Sequence, residues 1–145
     1  MSPATSAVVA AAADLHQGIG AGFAVAFAPD ESRVAHMRKI TTAHLRLWQV
    51  PEPTADDVVL AVSELVTNAI QHGDGAIALK AICSEGRLQV EVTDGSPNPA
   101  QLNSADDDAL SGRGLFLIDA LADNWGVSGD GTTTWATFRF LAGRP

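Results

Sequence analysis

Glu64, Asn68 and His72 stand four residues apart, a spacing that on a helix of about 3.6 residues per turn stacks the three side chains into one row. The amide oxygen of Asn68 is a neutral hard donor, suited to a magnesium ion that keeps several waters and takes its other oxygens from phosphates. Glu64, one turn earlier, can accept a proton from a water or hydroxyl attacking a γ-phosphate. Taken alone, the row equally fits an exposed helix face. Asp94 closes the strand-like run VEVTD and precedes Gly95. A carboxylate there suits the exocyclic amine of adenine, and glycine lets a flat ligand approach the backbone, although Asp-Gly after a strand is also a common turn. Gly112-Arg113-Gly114, opening a helix at Leu115, would offer free backbone N–H groups and a fixed positive charge where phosphates bind well. In isolation GRG also fits a flexible loop end. The chain has no GxxxxGK[ST] and no GxGxxG, which excludes the nucleotide sites built on those loops.

These residues need elements to hold them. Phe23, Val25 and Phe27 alternate with alanines and stop at Pro29, predicting a short strand with one buried face, placed at a sheet edge. From Ser32 to about Trp48 the apolar residues Val34, Met37, Ile40, Leu45 and Trp48 recur at helical spacing among Arg33, Arg38, Lys39 and Arg46, predicting an amphipathic helix. That helix offers a face for a homodimer or a partner, and its pattern fits core packing just as well. After Pro51 and Pro53, Thr54 is the expected N-cap of a second helix running to about His72 and ended by Gly73 and Gly75. Residues 76–82 and 87–93 read as a hairpin joined at Ser84-Glu85-Gly86. Residues 94–114 read as a long, lid-like loop, followed by a short helix over 115–121 and a final hairpin of 125–127 with 132–141. The order of strand, two helices, hairpin, lid, helix and hairpin predicts an α+β two-layer sandwich, its mixed, mainly antiparallel sheet covered on one face by helices.

The 145 residues fit one domain, expected over 21–145 behind a flexible, Ala-rich tail or short docking helix over 1–20. A net charge of −8 disfavours direct binding to nucleic acid or an anionic membrane. Cys83 is the single cysteine, so an internal disulfide or thiolate cluster is excluded, which suits a cytoplasmic protein. The Ala-rich start lacks the basic residues of a signal peptide, and no apolar run approaches the ~20 residues of a membrane span.

The three signals occur in the order one nucleotide pocket needs, and here the sequence resembles a known family. ELVTNAIQHG is similar to the N box, VTDGSPNP to the adenine box, and SGRGLFLIDALADNWGV to the lid-and-phosphate box of the Bergerat-fold ATPases, the superfamily of gyrase, histidine kinases and MutL. The match is nearest to the stand-alone anti-sigma factor serine kinases and their actinobacterial relatives, and it covers roughly residues 23–141. The resemblance implies ATP and Mg²⁺ as ligands, with Asn68 holding the metal and His72 ending that row. It further implies Glu64 as base, Asp94 with Gly95 and Ser96 at the adenine, Gly112, Arg113, Gly114 and Leu115 at the phosphates, and Thr133 near the adenine. Its partners would be a sigma factor, held inactive, and an antagonist of STAS type whose serine is phosphorylated. A nucleotide-dependent protein-binding switch without kinase activity is the alternative. The adenine box departs from other branches in reading Asp-Gly-Ser-Pro without a second glycine, and Thr132 stands where relatives often carry Lys. A sensor histidine kinase would need a helix pair bearing a phosphoacceptor histidine, and His36 and His44 read instead as solvated or interface residues. Topoisomerase or mismatch-repair activity would need a transducer domain beyond Pro145.

Overall fold

A computed structural model describes residues 9–12, 20–95 and 109–141, with 9–12 and 109–114 described by their backbone alone. Along the chain lie β1 (Val9–Ala12), β2 (Ala21–Phe27), α1 (Ser32–Leu47), α2 (Glu52–His72), β3 (Ile77–Ser84), β4 (Arg87–Thr93), α3 (Ala109–Leu121), β5 (Asn124–Val127) and β6 (Thr133–Arg139). The strands form one sheet in the order β1-β2-β3-β4-β6-β5. Every described pairing is antiparallel, so the sheet has no parallel component there.

Alternation decides which face is covered. Phe23, Val25 and Phe27, Ile77, Leu79 and Ala81, Leu88, Val90 and Val92, and Ala136 and Phe138 are buried. Apart from the buried Gly22, their neighbours are half-buried or exposed, as the two-residue period of a strand requires when one face alone is covered. The helices supply the other half of this core through Met37 and Leu45 of α1, Val58, Ala61, Val62, Leu65, Val66 and Ala69 of α2, and Ile118 of α3. The result is the expected two-layer α+β sandwich, with α2 packed against both α1 and α3.

Several boundaries differ from expectation. Residues 9–12 lie in the stretch expected as a tail and form β1, which pairs Val9 with Ala26 and Ala12 with Phe23. β2 is therefore an inner strand. Small residues without clear alternation carry little strand signal, and the pairing that recruits them is non-local. α2 starts at Glu52 with Pro51 in the cap position, not at Thr54. A proline in the first helical turn loses no hydrogen bond, because the N–H it lacks has no partner in the helix anyway. The β3–β4 connection is a two-residue turn in which Glu85 and Gly86 both have positive φ, 48° and 81°, the twist that suits a right-twisted hairpin. No helix among the described residues is long and apolar enough to cross a membrane.

Candidate functional site

The core packing of α2 determines where its polar row points. Val59 lines a groove shared with α1. Asn68 follows nine residues later, about half a turn round the helix at ~100° per residue, and so lies on the flank turned toward α3. Glu64 and Asn68 are half-buried on this flank and His72 is exposed. The row thus sits at the border of core and solvent, where a polar side chain can meet a ligand without being entombed.

The end of α2 is joined to the end of β4 by two close approaches. Gly73 donates its N–H to the Ala69 carbonyl at 2.9 Å, and Gly95 donates its N–H to the Asp74 carbonyl at 2.9 Å. A Cβ on Gly73 would stand 2.6 Å from the Ala69 oxygen and 2.7 Å from the Asp94 carboxyl carbon. A Cβ on Gly95 would stand 2.5 Å from the Asp74 oxygen. Gly73 has φ −88° and ψ −167°, a conformation open to any residue, so glycine is needed there for space. Asp94, half-buried, thus packs directly over Gly73, the residue that closes the helix carrying the Glu64-Asn68-His72 row, and its N–H bonds the Thr132 carbonyl at 3.0 Å. Gly73 was legible in the sequence only as a helix stop.

Thr133 differs in placement from the expectation. It pairs across the strands with Thr93, and the two hydroxyls are 2.8 Å apart. Directly opposed residues share a face, and Thr93 alternates with the buried Leu88, Val90 and Val92. Both hydroxyls therefore stand on the sheet face away from the helices. Thr134, the cross-strand partner of Val92, is the β6 threonine on the helix-covered face. The sequence did not reveal this, because the phase of a strand within a TTT run is invisible without its register.

The glycines expected to open a helix at Leu115 lie inside one. α3 begins at Ala109, so its unpaired amides fall in the turn ahead of Gly112. Ala109 and Leu110 are strong helix formers, and the ~1 kcal/mol cost of each glycine is offset by burying Leu115 and Ile118, both 0% exposed. Gly112, Arg113 and Gly114 thus have helical backbone beside α2, while their side chains, Ser96 and the remainder of the expected lid over 96–108 lie outside the described residues. Leu115 is a core residue. α3 is fastened to β5 by the Trp125 indole N–H, which donates to the Asp119 carboxylate at 2.9 Å.

The turn before β6 is held by Asp130, whose carboxylate accepts from the Ser128 hydroxyl at 2.7 Å and from the Thr132 N–H and hydroxyl at 3.1 and 2.9 Å. These bonds, the Ser128 hydroxyl first, hold its pKa at about 2, below the usual 3.8. A lowered folded pKa means the turn is stabilised at pH above about 4 and loses this support as pH falls through about 2. A carboxyl-carbon NMR titration should show Asp130 titrating near 2, and Asp130→Asn should free the Thr132 amide to exchange faster.

No group of three or more His, Cys, Asp or Glu among the described residues could hold a metal by itself. A magnesium ion in this site would instead combine the Asn68 oxygen with phosphate and water oxygens, a donor set that fits its chemistry. Residues 27–138 match the histidine kinase-like ATPase domain family. The chain is 32% identical over 105 residues to the serine-protein kinase RsbW of Bacillus pumilus, covering 59% of this chain and 65% of that protein. It is 30% identical over 86 residues to the serine-protein kinase RsbW of Listeria monocytogenes serotype 4a, covering 48% of this chain and 55% of that one. The chain therefore spans between half and two thirds of the length of these relatives.

Proposed function

Because this chain belongs to the histidine kinase-like ATPase domain family, we propose that it binds ATP with magnesium where α2 meets β4, and that it phosphorylates a serine of an antagonist protein while otherwise holding a sigma factor inactive. The observation that carries this reading is the packing of the Asp94 carboxyl over Gly73, at the end of the helix that presents Glu64 and Asn68. It brings an acceptor for the adenine amine next to a row suited to phosphates and metal. Likeness to serine-protein kinases over much of the chain supports the reaction class.

Asp94 accepts from the exocyclic amine and fixes the base, while Gly73, lacking a Cβ, lets the Asp94 carboxyl stand against the end of α2. Asn68 holds magnesium, whose role when bound is to neutralise charge on the phosphate oxygens. The serine oxygen then bonds to the γ-phosphorus as the bond to the β,γ-bridging oxygen breaks; ADP leaves, and the hydroxyl proton passes to the Glu64 carboxylate. Positioning does most of such a reaction, and a proton acceptor contributes about 10²–10⁴-fold. Glu64→Gln should therefore retain ATP binding and lose at least about 100-fold in transfer rate to the antagonist serine, measured with labelled ATP. Full transfer by this variant would remove Glu64 from the reaction.

The second reading, a switch that binds ATP without transferring phosphate, is favoured by one observation. With α3 starting at Ala109, the amides of Gly112 to Gly114 are engaged in the helix, so gripping phosphates there requires the first turns of α3 to open. If wild type binds ATP, protects those amides differently in hydrogen exchange and labels no serine, the switch reading replaces the kinase.

A further inference from the structure

The hairpin of β5 and β6 is closed through one carboxylate oxygen. Oδ1 of Asp130 accepts from the Ser128 hydroxyl at 2.7 Å, the Thr132 hydroxyl at 2.9 Å and the Thr132 N–H at 3.1 Å. With its pKa held at about 2, the group is ionised near neutral pH, and bonds to an ionised acceptor are roughly twice as strong as neutral ones. The reversal of the chain has other support. Gly131, with φ of 79°, donates its N–H to the Ser128 carbonyl at 2.9 Å, and the Ser128 N–H donates to the Thr133 carbonyl at 2.8 Å. The Thr133 N–H returns to the Ser128 hydroxyl at 3.1 Å. The two bonds from Asp130 to Thr132 therefore do something beyond closing the turn: they fix how the Thr132 peptide faces.

Thr132 stands opposite Asp94, one rung beyond the last paired residues, Thr93 and Thr133. In a regular hydrogen-bonded rung of an antiparallel pair the two residues exchange both of their backbone bonds. Here Asp94 donates its N–H to the Thr132 carbonyl at 3.0 Å, but the Thr132 N–H, which would return across the rung, is taken by Asp130. On this side the main chain of Asp94 is thus tied to a peptide that Asp130 orients. On the other side the Gly95 N–H is tied to the Asp74 carbonyl at 2.9 Å. We propose, on the reading of Asp94 as the acceptor for the base, that Asp130 is a positioning residue for that contact. It holds Thr132 by N–H and hydroxyl, Thr132 holds the Asp94 amide, and the Asp94 carboxyl, set against Gly73, is kept in the direction from which it accepts the adenine amine. Asp130 itself touches no nucleotide.

The test titrates ATP and GTP, each with magnesium, into the full chain and its variants. Asp130→Ala should weaken ATP binding about three- to tenfold and GTP binding less, so that the preference for ATP shrinks, a change that loss of stability alone does not produce. Asp130→Asn, which keeps an accepting oxygen without the charge, should fall between alanine and wild type. Added to Asp94→Asn, Asp130→Ala should cost ATP affinity nothing further, because both substitutions act on one bond. In hydrogen exchange of the ligand-free chain, the Asp94 amide should exchange faster in Asp130→Ala. Ser128→Ala removes a bond of the same turn that does not reach Thr132, and it should lower the melting temperature while leaving ATP affinity unchanged. Wild-type ATP affinity in Asp130→Ala, with Asp94→Asn weakened, overturns the positioning role and leaves the base reading standing. Losses that add in full in the double variant, or a loss in Ser128→Ala equal to that in Asp130→Ala, overturn it too. ATP affinity and preference unchanged in Asp94→Asn overturn both. If the alanine variant fails to fold, Asp130→Asn carries the same comparisons.

Discussion

Gly73→Ala is expected to weaken the fold by about 1–3 kcal/mol, the usual cost of forcing extra volume into a packed site, and to lower ATP affinity at least about tenfold. The added Cβ would meet the Ala69 carbonyl at 2.6 Å and the Asp94 carboxyl at 2.7 Å, and protein Cβ atoms do not tolerate contacts that short. The carbonyl belongs to the last turn of α2 and cannot yield without fraying it. Asp94 can yield by rotating, which removes it from the base. Gly129→Ala is the matched control, because a Cβ there meets nothing within 4 Å, and it should leave both melting temperature and affinity unchanged. If Gly73→Ala behaves like Gly129→Ala, the close approach of helix end and strand end plays no part in the site.

Asp94→Asn should lower ATP affinity by about 10–100-fold, the value of a hydrogen bond to a charged acceptor, and it should do so selectively. A carboxylate accepts from the 6-amino group of adenine and repels the 6-oxo group of guanine, whereas an amide can turn its NH₂ toward that oxygen. The ATP-to-GTP preference should therefore shrink in the variant more than the affinity for the triphosphate alone would account for. A preference unchanged by the substitution would place the base elsewhere. The fold itself should survive, since Asp94 stands at a strand end and its backbone bond to Thr132 at 3.0 Å does not involve the side chain.

What could be read from the sequence follows physical locality. α2 was legible almost to its last residue, because its apolar face repeats at helical period over 21 residues and Gly73 closes it. The β3–β4 hairpin was legible because Glu85-Gly86 joins two alternating runs. Three features were not legible. β1 depends on pairing with a strand whose own partners lie 50 or more residues away, from Phe27 against Ile77 to Ala21 against Cys83, and four small residues carry no pattern strong enough to announce it. The start of α3 turned on whether Ala109 and Leu110 or the two glycines would dominate, and burial of Leu115 and Ile118 in the tertiary structure decided it. The phase of β6, which sets Thr134 and not Thr133 on the helix-covered face, required the register with β4. For the site, the row on α2 and the Asp-Gly at the end of β4 were visible as separate weak signals. The contact of Asp94 with Gly73 is a tertiary fact and had no signature in either segment.

Isothermal titration of ATP into the wild-type chain and into Asn68→Ala, each with magnesium and with EDTA, tests the central claim most directly. The account predicts magnesium-dependent binding by the wild type and at least about a tenfold loss in the folded variant, with the residual affinity no longer responsive to magnesium. ATP bound equally well by both chains, or bound by the wild type without regard to magnesium, would contradict it.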